Sequence, residues 1–137
     1  MKNVLAMIAA TGLLAVPQVT FAANPVEVTY EDAVKCAAVD TTLAIALTAD
    51  ESKMSAEDKE NADYLSAMAD KWMAQASAAN PGGEEATTND IVSRSTDMFL
   101  ALVDESNKDA QTQIASDLAS YMILEEAAYG GRNGLVD

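Results

Sequence analysis

Residues 30–49, which read YEDAVKCAAVDTTLAIALTA, decide the fold that we predict for this chain. Apolar residues recur in this stretch at steps of three and four, which is the spacing of one face of an α-helix. Further apolar residues lie on the adjoining face, so little of the circumference is polar. We therefore predict a helix over 30–49 near the centre of the fold. Its main stripe consists of Cys36, Val39, Leu43, Ala46 and Leu47.

Three further stretches have helical spacing, and we predict helices over 56–79, 88–105 and 107–129. Each of the four helices is preceded by a hydroxyl residue with an aspartate three residues later. Such a pair can cap the free amides of the first turn and favours the positive end of the helix dipole. The pairs are Thr29 with Asp32, Ser55 with Asp58, Thr87 with Asp90, and Ser106 with Asp109.

Proline and glycine mark the helix ends. Asn80-Pro81-Gly82-Gly83 ends the second helix, and residues 84–86 complete the longest predicted loop. Gly130-Gly131 ends the fourth helix. No glycine or proline separates the third helix from the fourth, so the sequence leaves open whether residues 104–108 form a turn or a kink.

Two aromatic positions carry expectations about packing. Trp72 lies on the apolar stripe of the second helix, which predicts a core side chain rather than a ligand-stacking one. Tyr121 to Leu124 is apolar all round, so we expect this part of the fourth helix to be buried on more than one side.

The fold class that follows is all-α: a four-helix domain of two antiparallel helical hairpins after an N-terminal signal peptide. Residues 1–22 are the predicted signal peptide, and residues 23–137 are a single acidic helical domain.

The signal peptide is predicted from the first 22 residues. Lys2 precedes the uncharged run VLAMIAATGLLAV at 4–16, which is too short to span a bilayer and is broken by Pro17. Thr20 and Ala22 supply the small residues of a cleavage site. We expect a periplasmic or secreted protein with no membrane span in the mature chain; an uncleaved N-terminal anchor is the alternative.

The net charge of the chain and its lack of histidine exclude several classes of function. The chain has 22 acidic and 8 basic residues, a net charge of −14 at pH 7, and no histidine. An acidic surface repels nucleic acid and anionic lipid, so we expect no nucleic-acid partner; it suits either a basic protein partner or plain solvation. The absence of histidine removes histidine triads and the usual zinc ligand sets. We therefore predict no enzyme activity and no cofactor.

Cys36 is the only cysteine, so a disulfide within the chain is impossible. One alternative is a buried, inert thiol on the stripe of the first helix. The other is an intermolecular disulfide through Cys36, which would make a homodimer.

Acidic residues invite metal or catalytic interpretations. Asp50, Glu51, Glu57, Asp58 and Glu60 lack the alternating ligands and central glycine of an EF-hand loop, so we expect a solvated helix start and no metal site. Of Glu125 and Glu126, which follow an apolar run, one is expected to point inward, where a buried carboxylate can be functional.

In layout the chain distantly resembles the periplasmic acid-stress chaperones of the HdeA type, which have two cysteines in a disulfide where this chain has only Cys36. No motif matches residue by residue. The leading hypothesis is a non-catalytic exported protein that acts through protein contacts, with an envelope-stress or chaperone-like role. The alternative is a small-molecule or metal binder that uses the interior of the bundle.

Overall fold

The computed structural model describes residues 27–80, 82–104 and 106–130, and within these ranges the chain forms four α-helices and no β-strand. The helices are α1 (Tyr30–Thr48), α2 (Ala56–Ala79), α3 (Gly83–Val103) and α4 (Lys108–Tyr129), with a 3-10 turn over Glu51–Lys53. The predicted all-α class with four helices is therefore confirmed. The predicted signal peptide lies outside the described residues. In those ranges, no helix has the length and apolar character needed to cross a bilayer.

The first helix is the centre of the fold, as its sequence predicts. Ten of its 19 residues are buried, and α1 shares its largest interface with α2, a smaller one with α3 and the smallest with α4. Small side chains, including Ala33, Ala37 and Ala38, are almost wholly buried and let the neighbouring helices approach closely. Trp72 and Met68 of α2 fill the core beside them, both with no exposed surface. Trp72 is thus the core residue that the stripe predicts.

The first two predicted caps form complete capping boxes. Thr29 Oγ1 accepts from Asp32 N at 3.1 Å, and Asp32 accepts from Thr29 N in return. Ser55 Oγ and Asp58 make the same reciprocal pair at the start of α2. Each box satisfies two amides that the first turn leaves without partners, so the starts of α1 and α2 are set locally.

The third helix begins five residues earlier than predicted, at Gly83 rather than Thr88. Asn80 makes the turn short, because its Oδ1 accepts from Gly82 N at 2.9 Å, and Gly83 adopts φ +77°, which a glycine reaches without strain. Glu84 and Glu85 then lie in the first turn, where the helix dipole favours them, so they are not loop residues. The predicted cap Thr87 is wrong: it lies inside the helix and donates to the Gly83 carbonyl.

A turn, and not a kink, separates α3 from α4. Asp104 follows the last residue of α3 and its Oδ1 accepts from Ser106 N at 3.0 Å. The predicted cap Ser106 is wrong by one residue, because Asn107 Oδ1 accepts from Ala110 N at 3.0 Å and begins the helix at Lys108.

The fourth helix packs through one narrow face. Only Tyr121 and Glu125 of its residues are buried, whereas Ile123 is 73% exposed and Met122 is 40% exposed. The expectation that residues 121–124 are buried on more than one side is therefore wrong. The reason is that α4 contacts α1 and α3 only sparsely, so no element covers its outer side within the described part of the chain.

Candidate functional site

The face by which α4 contacts the rest of the molecule is unusually polar. Every fourth residue from Asp117 to Tyr129 makes a side-chain hydrogen bond to α1 or α2, and this spacing keeps the four residues on one face of the helix. We call these residues the docking row: Asp117, Tyr121, Glu125 and Tyr129. Their partners are Lys35, Asp40, Tyr64 and Gln75, respectively.

Two buried carboxyl groups lie at the middle of this row, one in the row itself and the other opposite it on α1. Asp40 of α1 has no exposed surface, and Glu125 of α4 is 6% exposed. Tyr121 donates its hydroxyl to Asp40 Oδ1 at 2.5 Å, and Tyr64 of α2 donates to Glu125 Oε1. The Asp40 Oδ2 atom has no hydrogen-bond partner among the described residues. Two acidic groups from different helices thus meet in the core, each held by a tyrosine.

Burial controls the protonation of Asp40. Removal from water raises the pKa of this carboxyl to about 9, and the negative charge of Glu125 adds to the rise. At neutral pH the folded chain therefore keeps a proton on Asp40. A protonated carboxyl can still accept the Tyr121 hydrogen bond, and it avoids placing two like charges side by side in a medium of low dielectric constant.

The single thiol lies one helical turn before Asp40. Cys36 is 2% exposed, and burial followed by the Asp40 charge raises its pKa to about 12. A thiol with such a pKa is almost wholly protonated at neutral pH and reacts slowly. This buried position favours an inert thiol at Cys36 over an intermolecular disulfide, since an interchain disulfide would require the sulfur to leave the core.

Aromatic residues close the end of the row. Tyr129 packs edge-on against Trp72, with ring centroids 4.7 Å apart, and Lys71 Nζ lies 5.4 Å from the centroid of the Tyr129 ring. Trp72 Nε1 is buried without a hydrogen-bond partner in the described ranges. Tyr129 is therefore the contact by which the end of α4 covers the only tryptophan of the chain.

A groove of about 390 Å³ lies at the Asp117 end of the docking row, between the start of α1 and the middles of α3 and α4. Four of its lining residues form two ion pairs, Lys35 with Asp117 at 2.9 Å and Arg94 with Glu31. Pairs at this exposure contribute little to stability. The other charged groups in the groove are acidic, so it carries a net negative charge.

Most of the acidic residues before and at the start of α2 have local partners or face solvent. Asp50 accepts from Ser52 and pairs with Lys53 at 2.5 Å, Asp58 serves the capping box, and Glu57 and Glu60 are exposed. Among the described residues, no group of three or more cysteine, aspartate or glutamate side chains is arranged to hold a metal ion.

Of the residues that sequence reasoning considered, Glu125 is the one that points inward, and Glu126 is exposed. Asp40 was not among the candidates. A signal for it exists, because Asp40 falls four residues after Cys36 and three before Leu43, on the apolar stripe of α1. The stripe is buried from Cys36 to Leu43, and Asp40 is buried with it.

Large apolar side chains are exposed on the outer side of the domain. On α3 these are Val92, Leu100 and Val103, between 40% and 58% exposed. Their spacing of eight and three residues places them on one face, away from the buried face that contains Ile91, Ser95 and Leu102. We call these three residues the α3 outer face.

No protein family, curated protein sequence or solved structure matches the chain.

Proposed function

We propose that this chain is a non-catalytic exported protein that acts through contacts with another protein that is basic and partly apolar. The α3 outer face carries this proposal, because several large apolar side chains exposed on one helix face can supply the apolar contacts of a protein interface. The domain around it has an acidic composition, which attracts a basic partner and speeds its approach.

The remaining parts of the proposal come from the sequence. Residues 1–22 act as a signal peptide, and the mature chain works in the periplasm or outside the cell. Its helices form two antiparallel hairpins, α1 with α2 and α3 with α4. An envelope-stress or chaperone-like role fits the three exposed apolar residues of the α3 outer face, since such side chains can contact exposed apolar segments of other proteins.

The test is capture of partners by the tagged chain 23–137 from host envelope extract, washed with salt and then with reductant. Leu100→Ser is the variant, and Ile123→Ser, an exposed apolar residue on α4, is the matched control. We expect a basic protein that salt releases, that the control retains and that Leu100→Ser loses. Equal capture by both variants would contradict a role for the α3 outer face.

The reductant step tests the dimer through Cys36 separately. A second copy of the chain released only by reductant would establish the interchain disulfide. Because Cys36 is 2% exposed, we expect no such release from the folded protein.

A second candidate function is a binder of a small polar molecule in the interior. Asp40 Oδ2 and Trp72 Nε1 support it, because buried polar atoms without partners are uncommon and a bound molecule can satisfy them. Native mass spectrometry of protein from its own host would detect the added mass, and a bare polypeptide mass would count against this candidate.

A further inference from the structure

The docking row attaches α4 to the rest of the domain through buried hydrogen bonds, a feature that binding of a protein partner does not explain. The α4 helix buries only Tyr121 and Glu125, and both contact another element through a carboxyl–hydroxyl hydrogen bond. Partly buried apolar residues such as Leu118 and Leu124 add contacts to the core. The two buried contacts of α4 are therefore both hydrogen bonds between a tyrosine hydroxyl and a carboxyl group, and one of these carboxyl groups, Asp40, has no exposed surface.

Within residues 27–80, 82–104 and 106–130, the charged and titratable groups around Asp40 offer it no cation. On α4 they are Tyr121 and Glu125, on α1 Cys36, and on α2 Tyr64, which is bonded to Glu125. Lys71 of α2 lies over the ring of Tyr129. The charged residues of α3 on this side, Arg94 and Asp97, line the outer groove with Lys35, and both cations there are paired with other carboxylates.

We propose that α4 is a pH-sensitive latch, docked while Asp40 holds a proton and released from α1 and α2 when that carboxyl gives its proton to water. The physical reason is desolvation: a charged Asp40 is stable in contact with water, and it reaches water only if Tyr121 and Glu125 move away. Release also exposes Trp72, because Tyr129 leaves with the helix. The latch operates whether or not the chain binds another protein.

Amide hydrogen exchange of the chain 23–137 tests the latch. If opening of α4 releases one proton, the protection factors of α4 amides, corrected for intrinsic rates, fall about tenfold for each pH unit between roughly pH 5 and 8. Amides of α2 are expected to stay at least tenfold more protected than those of α4 at every pH. Equal protection of α2 and α4 would mean that the whole domain unfolds at once, and would overturn the latch.

Asp40→Asn removes the proton but keeps an oxygen for Tyr121, so the protection of α4 is expected to become independent of pH over this range. Asp63→Asn, on the exposed side of α2, is the matched control and retains the tenfold slope. If the asparagine variant does not fold, Asp40→Leu replaces it, since leucine has a similar size and no proton to lose. The wild-type slope in a folded Asp40 variant would overturn the proposal.

Trp72 gives an independent readout. As the only tryptophan, it reports covering by Tyr129, so acrylamide quenching of its fluorescence is expected to rise between pH 7 and 9.5 in the wild type and not in Asp40→Asn. Identical quenching curves for the two proteins would contradict release of α4.

Discussion

Replacing Asp40 with asparagine is expected to remove a large part of the pH dependence of global stability. Burial raises the pKa of Asp40 from an ordinary value of 3.8 to about 9 in the folded chain. Between these two values the folded chain holds a proton that the unfolded chain has lost. The contribution of this group to stability is therefore complete below pH 3.8 and declines as the pH rises toward 9.

The size of the effect follows from the linkage relation. Each pH unit within this window costs about 1.4 kcal/mol of unfolding free energy. Between pH 5 and pH 7.5 the wild type is thus expected to lose about 3 kcal/mol through Asp40, which is a large share of the stability of a small domain. Asparagine has no proton to lose, and its amide replaces the O–H of the protonated acid, which likewise has no partner at Oδ2.

Urea denaturation of the wild type and Asp40→Asn at both pH values measures this difference. Other carboxyl groups contribute equally to the two proteins. The change with pH in the difference between their unfolding free energies therefore reports the contribution of Asp40. Between pH 5 and 7.5 we expect the unfolding free energy of the variant to rise by about 3 kcal/mol relative to that of the wild type. Asp63→Asn serves as the control and is expected to follow the wild type. Parallel pH profiles for wild type and Asp40→Asn would refute the assignment of a buried, protonated Asp40.

Three further predictions concern other parts of the fold. Hydrogen bonds from Ser55 hold the pKa of Asp58 below its ordinary value, so the stability from this capping box is present above that value and is lost as the pH falls through the lowered one. The contribution of Asp40 declines as the pH rises, so denaturation midpoints are expected to peak near pH 4 and to fall on both sides. A continued rise of the midpoint down to about pH 2.5 would contradict the capping-box contribution. Cys36, buried and with a pKa of about 12, is expected to resist a thiol reagent in the native chain and to react fully in denaturant; rapid native labelling would show that the thiol is accessible. Gly130 ends α4 with φ 71°, a conformation that other residues adopt only with strain. Gly130→Ala is therefore expected to lower the unfolding free energy by about 1 kcal/mol. An unchanged denaturation midpoint would argue against the left-handed cap.

Several features of the fold could be predicted from the sequence because short-range physics sets them. The four helices follow from apolar residues at steps of three and four, and α1 is central because its apolar residues cover most of its circumference. The capping boxes of Thr29 and Ser55 involve partners only three residues apart. The sequence did not predict the starts of α3 and α4 correctly. Asn107 rather than Ser106 caps α4, and a turn set by Asn80 places the start of α3 at Gly83.

The polar interior was decided by tertiary contacts. Asp40 and Tyr121 are 81 residues apart in the chain, and Tyr64 and Glu125 are 61 apart, so no local pattern brings them together. In the sequence, Asp40 is a single acidic residue on an apolar stripe. Its burial under α4, beside Glu125, is what keeps it protonated at neutral pH. The sequence by itself determined the helices and the central position of α1, since these depend on spacing within a few turns. The tertiary structure alone decided which face of α4 docks and which carboxyl is kept neutral, because desolvation depends on what the rest of the chain places around a group.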